Sequence, residues 1–186
     1  MIQNAPTTKP GPDKRFVVLV GLMGSGKTSI GRRISDATGL AFVDTDEEVV
    51  KAAGCPIPEI FARFGEEEFR KGERRVIQRI LEGAPAVIAT GGGSFMDADT
   101  RTAIAEHGVT IWLRADLDTL VERTQRKNTR PLLRDGNPRE ILARLMEERY
   151  PIYGKADIII DVGAEHADQT TKRTLDKLDA FRKQGQ

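Results

Sequence analysis

The stretch Gly21-Leu-Met-Gly-Ser-Gly-Lys-Thr28 constrains this chain more than any other. It follows the apolar run Phe16-Val-Val-Leu-Val20 and leads into a helical pattern carrying Ile30, Ile34 and Ala37. A strand, a loop of the form Gly-x-x-x-x-Gly-Lys-Thr and a helix together make a phosphate cradle, the P-loop. Gly21, Gly24 and Gly26 free successive backbone N–H groups to wrap phosphate oxygens at a helix N-terminus. Lys27 adds a point charge for the β- and γ-phosphates, and the Thr28 hydroxyl suits Mg²⁺. The pattern predicts nucleotide binding and leaves the acceptor open.

The bulk properties exclude several classes. At 186 residues the chain fits one domain with a sizeable core. A net charge of +1 gives no general attraction to nucleic acid or to a membrane surface, so any cationic site must be local. A single cysteine, Cys55, excludes an internal disulfide, fits a reducing compartment and reads as a buried structural thiol. No apolar run reaches the length of a membrane span. Residues 1–14 lack a signal-peptide core and hold Pro6, Pro10, Gly11 and Pro12, so a flexible leader is expected there. The expectation is a cytoplasmic protein with one domain over residues 15–184.

Strands are expected at Phe16–Val20, Leu40–Val43, Pro85–Ala89, Val109–Leu113 and Ala156–Val162. Helical patterns fall between them: Lys27–Thr38 closed by Gly39, then Glu47–Ala53, Ile57–Phe64 and Glu66–Leu81. Asp97–His107, Leu117–Gln125, Arg139–Tyr150 stopped by Pro151, and Ala167–Phe181 complete the set. This alternation predicts an α/β fold, a parallel sheet covered on both faces in three αβα layers. Right-handed crossovers then gather Gly21–Thr28, Asp44–Asp46 and Gly91–Gly93 at one sheet edge, where ligands bind in such sheets.

Asp44 and Asp46, two apart at an expected strand end, would point to the same side. One could orient Mg²⁺ through water and the other accept a hydroxyl proton, or the pair could simply cap the next helix. Gly91-Gly92-Gly93 after a strand would let a carboxylate or hydroxyl reach bare backbone N–H groups. The strand before it ends in Thr90, without the aspartate many P-loop proteins place there, which turns attention to Asp44 for the metal. Arg70 is read either as a surface ion pair with Glu73 or as a substrate-facing guanidinium braced by it. Arg149 either complements a helix dipole or grips a carboxylate bidentately. The polar, basic segment 125–138 is the candidate lid, excluding water and bringing arginines to the transferring phosphoryl group. His107 and His166 show no metal-ligand spacing and receive no role.

Taken together, these pieces resemble the shikimate kinases, small P-loop kinases of the nucleoside monophosphate kinase type. The matching motifs are Gly21–Thr28, Asp44-Thr-Asp46, Gly65-Glu-Glu-Glu-Phe-Arg70, Gly91–Gly93, Arg130-Pro-Leu-Leu133 and Glu148-Arg-Tyr-Pro-Ile-Tyr153. The resemblance implies ATP- and Mg²⁺-dependent phosphorylation of the shikimate 3-hydroxyl, in aromatic amino-acid biosynthesis. It implies a five-stranded sheet in the order 2-3-1-4-5, a substrate-binding helical region near residues 45–82, the lid at 125–138, and a monomer.

By the same resemblance Asp46 would hold the shikimate hydroxyls and act as base, with Arg70 and Arg149 clamping the carboxylate. Gly91, Gly92 and Gly93 would bind substrate through backbone. Gly24, Ser25, Gly26, Lys27, Thr28 and Ser29 would hold ATP, with Arg123 stacking on adenine. Lys27 and Arg130 would stabilise the phosphoryl group. Thr28 would ligate Mg²⁺ directly, and Asp44 would lie in its outer shell. The segment after Asp161, Val-Gly-Ala-Glu-His-Ala, departs from the family and lacks an arginine some members carry. Two other readings stand beside this one: a gluconate-type or other small-metabolite kinase, and a P-loop ATPase or regulatory switch.

Overall fold

The computed structural model describes residues 15–125 and 136–184. The expected leader, most of the expected lid and Arg130 lie outside the described residues. In chain order the elements are β1 (Phe16–Val20), α1 (Lys27–Thr38), β2 (Ala41–Asp44), α2 (Thr45–Ala53) and α3 (Ile57–Leu81). They continue with β3 (Ala86–Ala89), a 3-10 turn (Ser94–Met96), α4 (Ala98–His107) and β4 (Gly108–Ala115). The last are α5 (Leu117–Gln125), α6 (Pro138–Tyr153), β5 (Ile158–Val162) and α7 (Ala167–Gln184).

The five strands form one parallel sheet in the order β2-β3-β1-β4-β5, as expected. β1 is central and all five of its residues are buried, because helices cover both faces of a parallel sheet and leave no polar side. α1 packs against α7, while α4 lies on β4 with α3 beside it, giving the three layers. The register decides where the site can be. Leu19 pairs with Ala89 and Ala89 with Asp44, so β1, β3 and β2 end level with one another. The loops beginning at Gly21 and Thr90 and the helix beginning at Thr45 therefore leave the sheet side by side.

Several local expectations change. Asp44 and Asp46 do not share an extended strand end. Asp44 closes β2 and caps α2, its Oδ1 accepting the Asp46 N–H at 3.0 Å, and Asp46 lies in the first helical turn. A short acidic side chain at a strand-to-helix junction satisfies an orphan N–H, and that requirement sets the geometry here. Pro151 does not end α6, which runs on to Tyr153. Proline's fixed φ is compatible with a helix even though its missing N–H costs one bond, and the added turn buries Tyr153 completely. The expected break between Ile57–Phe64 and Glu66–Leu81 is present as a kink within α3 at Gly65, whose φ of 78° and ψ of 173° are not helical. Cys55 is half-buried rather than buried, at the edge of a small cluster of Val49, Ile60, Phe69 and Val76. That cluster holds α2 and α3 together apart from the main core.

Candidate active site

The phosphate loop is built from its own backbone. Gly21, Gly24 and Gly26 all have positive φ, and Gly26 in the left-handed region starts α1. At Gly21 the requirement for glycine is twofold. Its φ is 145°, and a Cβ there would sit 2.8 Å from the Leu113 carbonyl oxygen, which belongs to the neighbouring strand and cannot move aside. Lys27 lies back along the loop, its Nζ donating to the carbonyls of Gly21 at 2.8 Å and Leu22 at 3.1 Å. Among the described residues the Ser25 hydroxyl finds no hydrogen-bond partner and is buried inside the loop. Thr28 Oγ1 donates to Asp44 Oδ2 at 3.2 Å, which joins the first turn of α1 to the end of β2.

A cavity of about 310 Å³ opens beside this loop. Its lining includes Gly24, Ser25, Gly26, Lys27, Thr28, Ser29 and Arg123, the nucleotide-binding residues expected from sequence within the described chain. Ile30, Thr124, Val162, Glu165, Ala167 and Thr170 complete the wall and were not anticipated there. Val162 could have been found, because it ends β5 at the same sheet edge. Glu165 carried no periodic or motif signal. Arg123 spans the cavity and donates from Nη2 to the Gly163 carbonyl at 2.6 Å.

The second half of the site forms around the glycine triplet. A Cβ on Gly91 would lie 2.6 Å from both Asp46 Oδ1 and Glu73 Oε1, and one on Gly93 would lie 2.7 Å from Arg70 Cζ. One on Gly92 would lie 3.3 Å from Arg149 Nη1 and 3.8 Å from the Gly21 carbonyl. Bare backbone is therefore what lets a carboxylate from α2, a carboxylate and a guanidinium from α3 and a guanidinium from α6 approach one loop. The Gly21 contact brings that loop beside the phosphate loop. Asp46, Arg70, Gly91, Gly92, Gly93 and Arg149 are thus brought together.

Supporting bonds fix the group. Glu73 is buried, accepting from Arg70 Nη1 at 2.9 Å and from the Ser94 hydroxyl at 2.6 Å. Glu66 adds a bond to Arg70 Nη2 at 3.3 Å, leaving the guanidinium held on two sides. The Gly91 N–H donates to Thr45 Oγ1 at 2.9 Å. Arg149 Nη1 donates to the Gly92 carbonyl at 2.9 Å, and the buried Tyr153 hydroxyl donates to the same oxygen. Burial raises the pKa of Tyr153 above its ordinary value, outweighing the Arg149 charge, so its hydroxyl stays a donor. Burial likewise pushes Tyr150 up to about 12, and its hydroxyl donates to the Ala115 carbonyl. Ser94, Thr45 and Tyr153 were not singled out from sequence, since each acts on a residue distant in the chain. The Thr90 hydroxyl donates to the Leu19 carbonyl at 2.9 Å, a bond that ties β3 to β1.

Sheet order, phosphate loop and a charged cluster opposite it define a P-loop phosphotransferase fold. The shikimate kinase family model matches residues 23–179. The chain is 53% identical over 164 residues to the shikimate kinase of Paramagnetospirillum magneticum, covering 88% of this chain and 84% of that one. Among solved structures it is similar to the shikimate kinase from Acinetobacter baumannii in complex with shikimate. That likeness has a TM-score of 0.85 at 32% identity and covers 90% of this chain and 94% of the other. A gluconokinase from Sinorhizobium meliloti, at 21% identity and TM-score 0.63 over 93% and 94%, shares the fold alone. The chain belongs to the shikimate kinase family.

Proposed function

We propose that the protein transfers the γ-phosphoryl group of ATP to the 3-hydroxyl of shikimate, releasing ADP and shikimate 3-phosphate for aromatic amino-acid biosynthesis. The observation that carries this reading is the meeting of Asp46, Arg70 and Arg149 at the glycine triplet, beside the phosphate loop. Two guanidinium groups suit one carboxylate, and a nearby carboxylate suits an attacking hydroxyl. A small hydroxy acid meets both demands, and family membership names shikimate among such acids.

In this mechanism Arg70 and Arg149 hold the substrate carboxylate while the Gly92 and Gly93 N–H groups and Asp46 orient the hydroxyls, the Gly91 N–H being engaged by Thr45. Asp46 accepts the proton as the substrate oxygen bonds to the γ-phosphorus and the bond to the β-phosphate oxygen breaks. Lys27 leaves its loop carbonyls for the phosphate oxygens, where its charge matters most as negative charge builds on the leaving group. Arg130, outside the described residues, is assigned to the same task on the pattern Arg130-Pro-Leu-Leu133, with the lid at 125–138 closing over it. Arg123 stacks on adenine, and Gly24 to Ser29 bind the phosphates.

The donor chemistry fits Mg²⁺. Thr28 Oγ1 and Asp44 Oδ2 are hard oxygens 3.2 Å apart, beside the place where the phosphates would lie. Among the described residues no group of three or more histidine, cysteine or carboxylate side chains is placed to hold a metal ion. Thr28 would ligate it and Asp44 would orient its water. When bound, the ion neutralises charge on the β- and γ-oxygens.

We read the protein as a cytoplasmic monomer with one catalytic domain over residues 15–184. The lone cysteine suits a reducing compartment, and no helix among the described residues is long and apolar enough to cross a membrane. Light scattering on the purified chain tests the monomer. A coupled ADP-release assay with shikimate, gluconate or no acceptor tests the activity. ADP release should depend strongly on shikimate. Equal turnover without an acceptor would make the protein an ATPase, and preference for gluconate would reassign the substrate.

A further inference from the structure

The turn between β5 and α7 carries a bonding arrangement of its own. Glu165 Oε2 accepts the Gly163 N–H at 3.2 Å. Its Oε1 accepts the Thr170 hydroxyl at 2.9 Å and also bonds Arg173. Arg173 in turn donates to the Asp161 carbonyl at 2.7 Å, so the end of β5 and the start of α7 are tied through one carboxylate. From this turn the Gly163 carbonyl accepts Arg123 Nη2 at 2.6 Å. Glu165 and Arg123 both line the nucleotide cavity.

We propose that Glu165 is a positioning residue for the nucleotide base: it fixes the turn at Gly163, whose carbonyl holds the Arg123 guanidinium in the plane needed for stacking. The inference rests on the nucleotide-binding reading above and adds to it the device that sets the base subsite in this chain. The physical case has three steps. Glycine at position 163 brings no side chain to bias the turn, so the shape depends on what grips its neighbours. An arginine side chain on an α5 surface has many rotamers, and a stacking face is presented only when its fork is held. The Gly163 carbonyl holds it, and the Glu165 clamp holds Gly163. Burial by itself would raise the Glu165 carboxyl, but the Thr170 hydroxyl, backbone N–H groups and Arg173 outweigh it and keep the group below the ordinary range. The clamp is therefore charged at neutral pH.

A double-mutant cycle tests the route of action. Glu165→Ala, the milder Glu165→Gln, Arg123→Ala and the Glu165→Ala/Arg123→Ala pair are compared by ADP calorimetry and by steady-state kinetics. Inhibition by inorganic tripolyphosphate, which has no base, is measured on each. Glu165→Ala should weaken ADP binding and raise the ATP KM by about 5–20-fold, and Glu165→Gln by about 2–5-fold, with kcat and the shikimate KM within about twofold. The tripolyphosphate inhibition constant should stay unchanged, and Glu165→Ala should add nothing in the Arg123→Ala background. Unchanged ADP affinity in a folded Glu165→Gln or Glu165→Ala chain would overturn the proposal. So would additive losses in the pair, which would put Glu165 on the nucleotide directly, and so would equal weakening of tripolyphosphate, which would mean general damage to the site. A wild-type chain that binds no ADP would instead remove the nucleotide reading on which the proposal rests.

Discussion

The two halves of the site are made in opposite ways. The phosphate half is eight consecutive residues whose backbone is proposed to do most of the binding, and its shape follows from Gly21, Gly24 and Gly26 at positive φ. The acceptor half takes Asp46 from α2, Arg70 and Glu73 from α3, the triplet after β3 and Arg149 from α6. Nothing in that second set works alone. A backbone cradle is local and tolerates change elsewhere, whereas a side-chain cluster depends on the register of the whole sheet. The phosphate half can therefore recur across many proteins, while the acceptor half is free to define a substrate.

The sharpest break between the halves should come from Lys27→Met. Lysine is the phosphate half's mobile charge, held on its own loop carbonyls before phosphate arrives. We expect kcat to fall by about 10²–10⁴, roughly 3–5 kcal/mol of transition-state stabilisation, with the thermal midpoint nearly unchanged. Stopped or coupled kinetics together with a melting curve checks both parts. A turnover within fivefold of wild type would take Lys27 out of the mechanism.

Arg70→Ala tests the other half. Its guanidinium is anchored by Glu73 and Glu66, so the arginine is preorganised for a ligand and its loss should fall on the acceptor. The shikimate KM should rise about 10–100-fold, equivalent to roughly 1.4–2.7 kcal/mol, with the ATP KM within about twofold. A normal shikimate KM with weakened ATP binding would exchange the roles assigned to the two halves.

A paired glycine test then separates fold from function. In Gly21→Ala the new Cβ would meet the Leu113 carbonyl at 2.8 Å in a backbone conformation L-residues avoid, so stability should drop by about 2 kcal/mol or more. In Gly93→Ala the Cβ would meet the Arg70 guanidinium, the far end of a flexible side chain. Here the shikimate KM should rise about tenfold as the arginine is displaced, with a stability loss smaller than in Gly21→Ala that comes from loosening its bond to the buried Glu73. Denaturant midpoints and KM values on both variants make the comparison. Equal destabilisation of the two would show that the acceptor half is as much scaffold as site.

The same contrast explains what could be read from sequence. Strand positions and the phosphate loop are periodic or local features, and they were legible, whereas the sheet order followed only from the family resemblance. So was the convergence of Gly21–Thr28, Asp44–Asp46 and Gly91–Gly93, because a parallel sheet puts strand ends on one edge. Side-chain aim was not legible. Whether Arg70 pairs idly with Glu73 or is braced beside Gly93 depends on how α3 meets the triplet, which no residue spacing within α3 can tell. For Asp44 and Asp46 the shared extended aim was misread and the capping alternative holds, because a capping bond outweighs strand continuation at that junction. Pro151 misled for the converse reason: its local cost is outweighed by Tyr153 buried one half-turn later. Glu165 was invisible because its partners straddle an irregular turn, with Gly163 before it and Thr170 and Arg173 on α7, and no single period links them.

The smallest expected effect concerns the scaffold behind the acceptor half. Asp97 caps α4, accepting the Thr100 N–H at 2.8 Å and its hydroxyl at 2.9 Å, and it takes Arg74 from α3 at 2.7 Å. It ties α4 to the helix that carries Arg70 and Glu73. Burial by itself would raise its carboxyl, but the Thr100 bonds and Arg74 outweigh that and hold it below the ordinary carboxylate range. The folded state therefore prefers the charged form. Its contribution is complete above the unfolded carboxyl value, about pH 4, and is lost as pH falls through the lower folded value. Asp97→Ala should cost about 1 kcal/mol at pH 7, mostly the helix cap, since the ion pair is partly exposed. The gap between wild-type and variant urea midpoints should narrow as pH falls below about 4, because the wild-type carboxylate is then protonated as well. A gap that stays constant down to pH 2.5 would show that the carboxylate's charge is not what holds α4 against α3. Kinetics supply the link to the comparison: if the scaffold governs how well Arg70 is aimed, the shikimate KM rises in Asp97→Ala while the ATP KM does not.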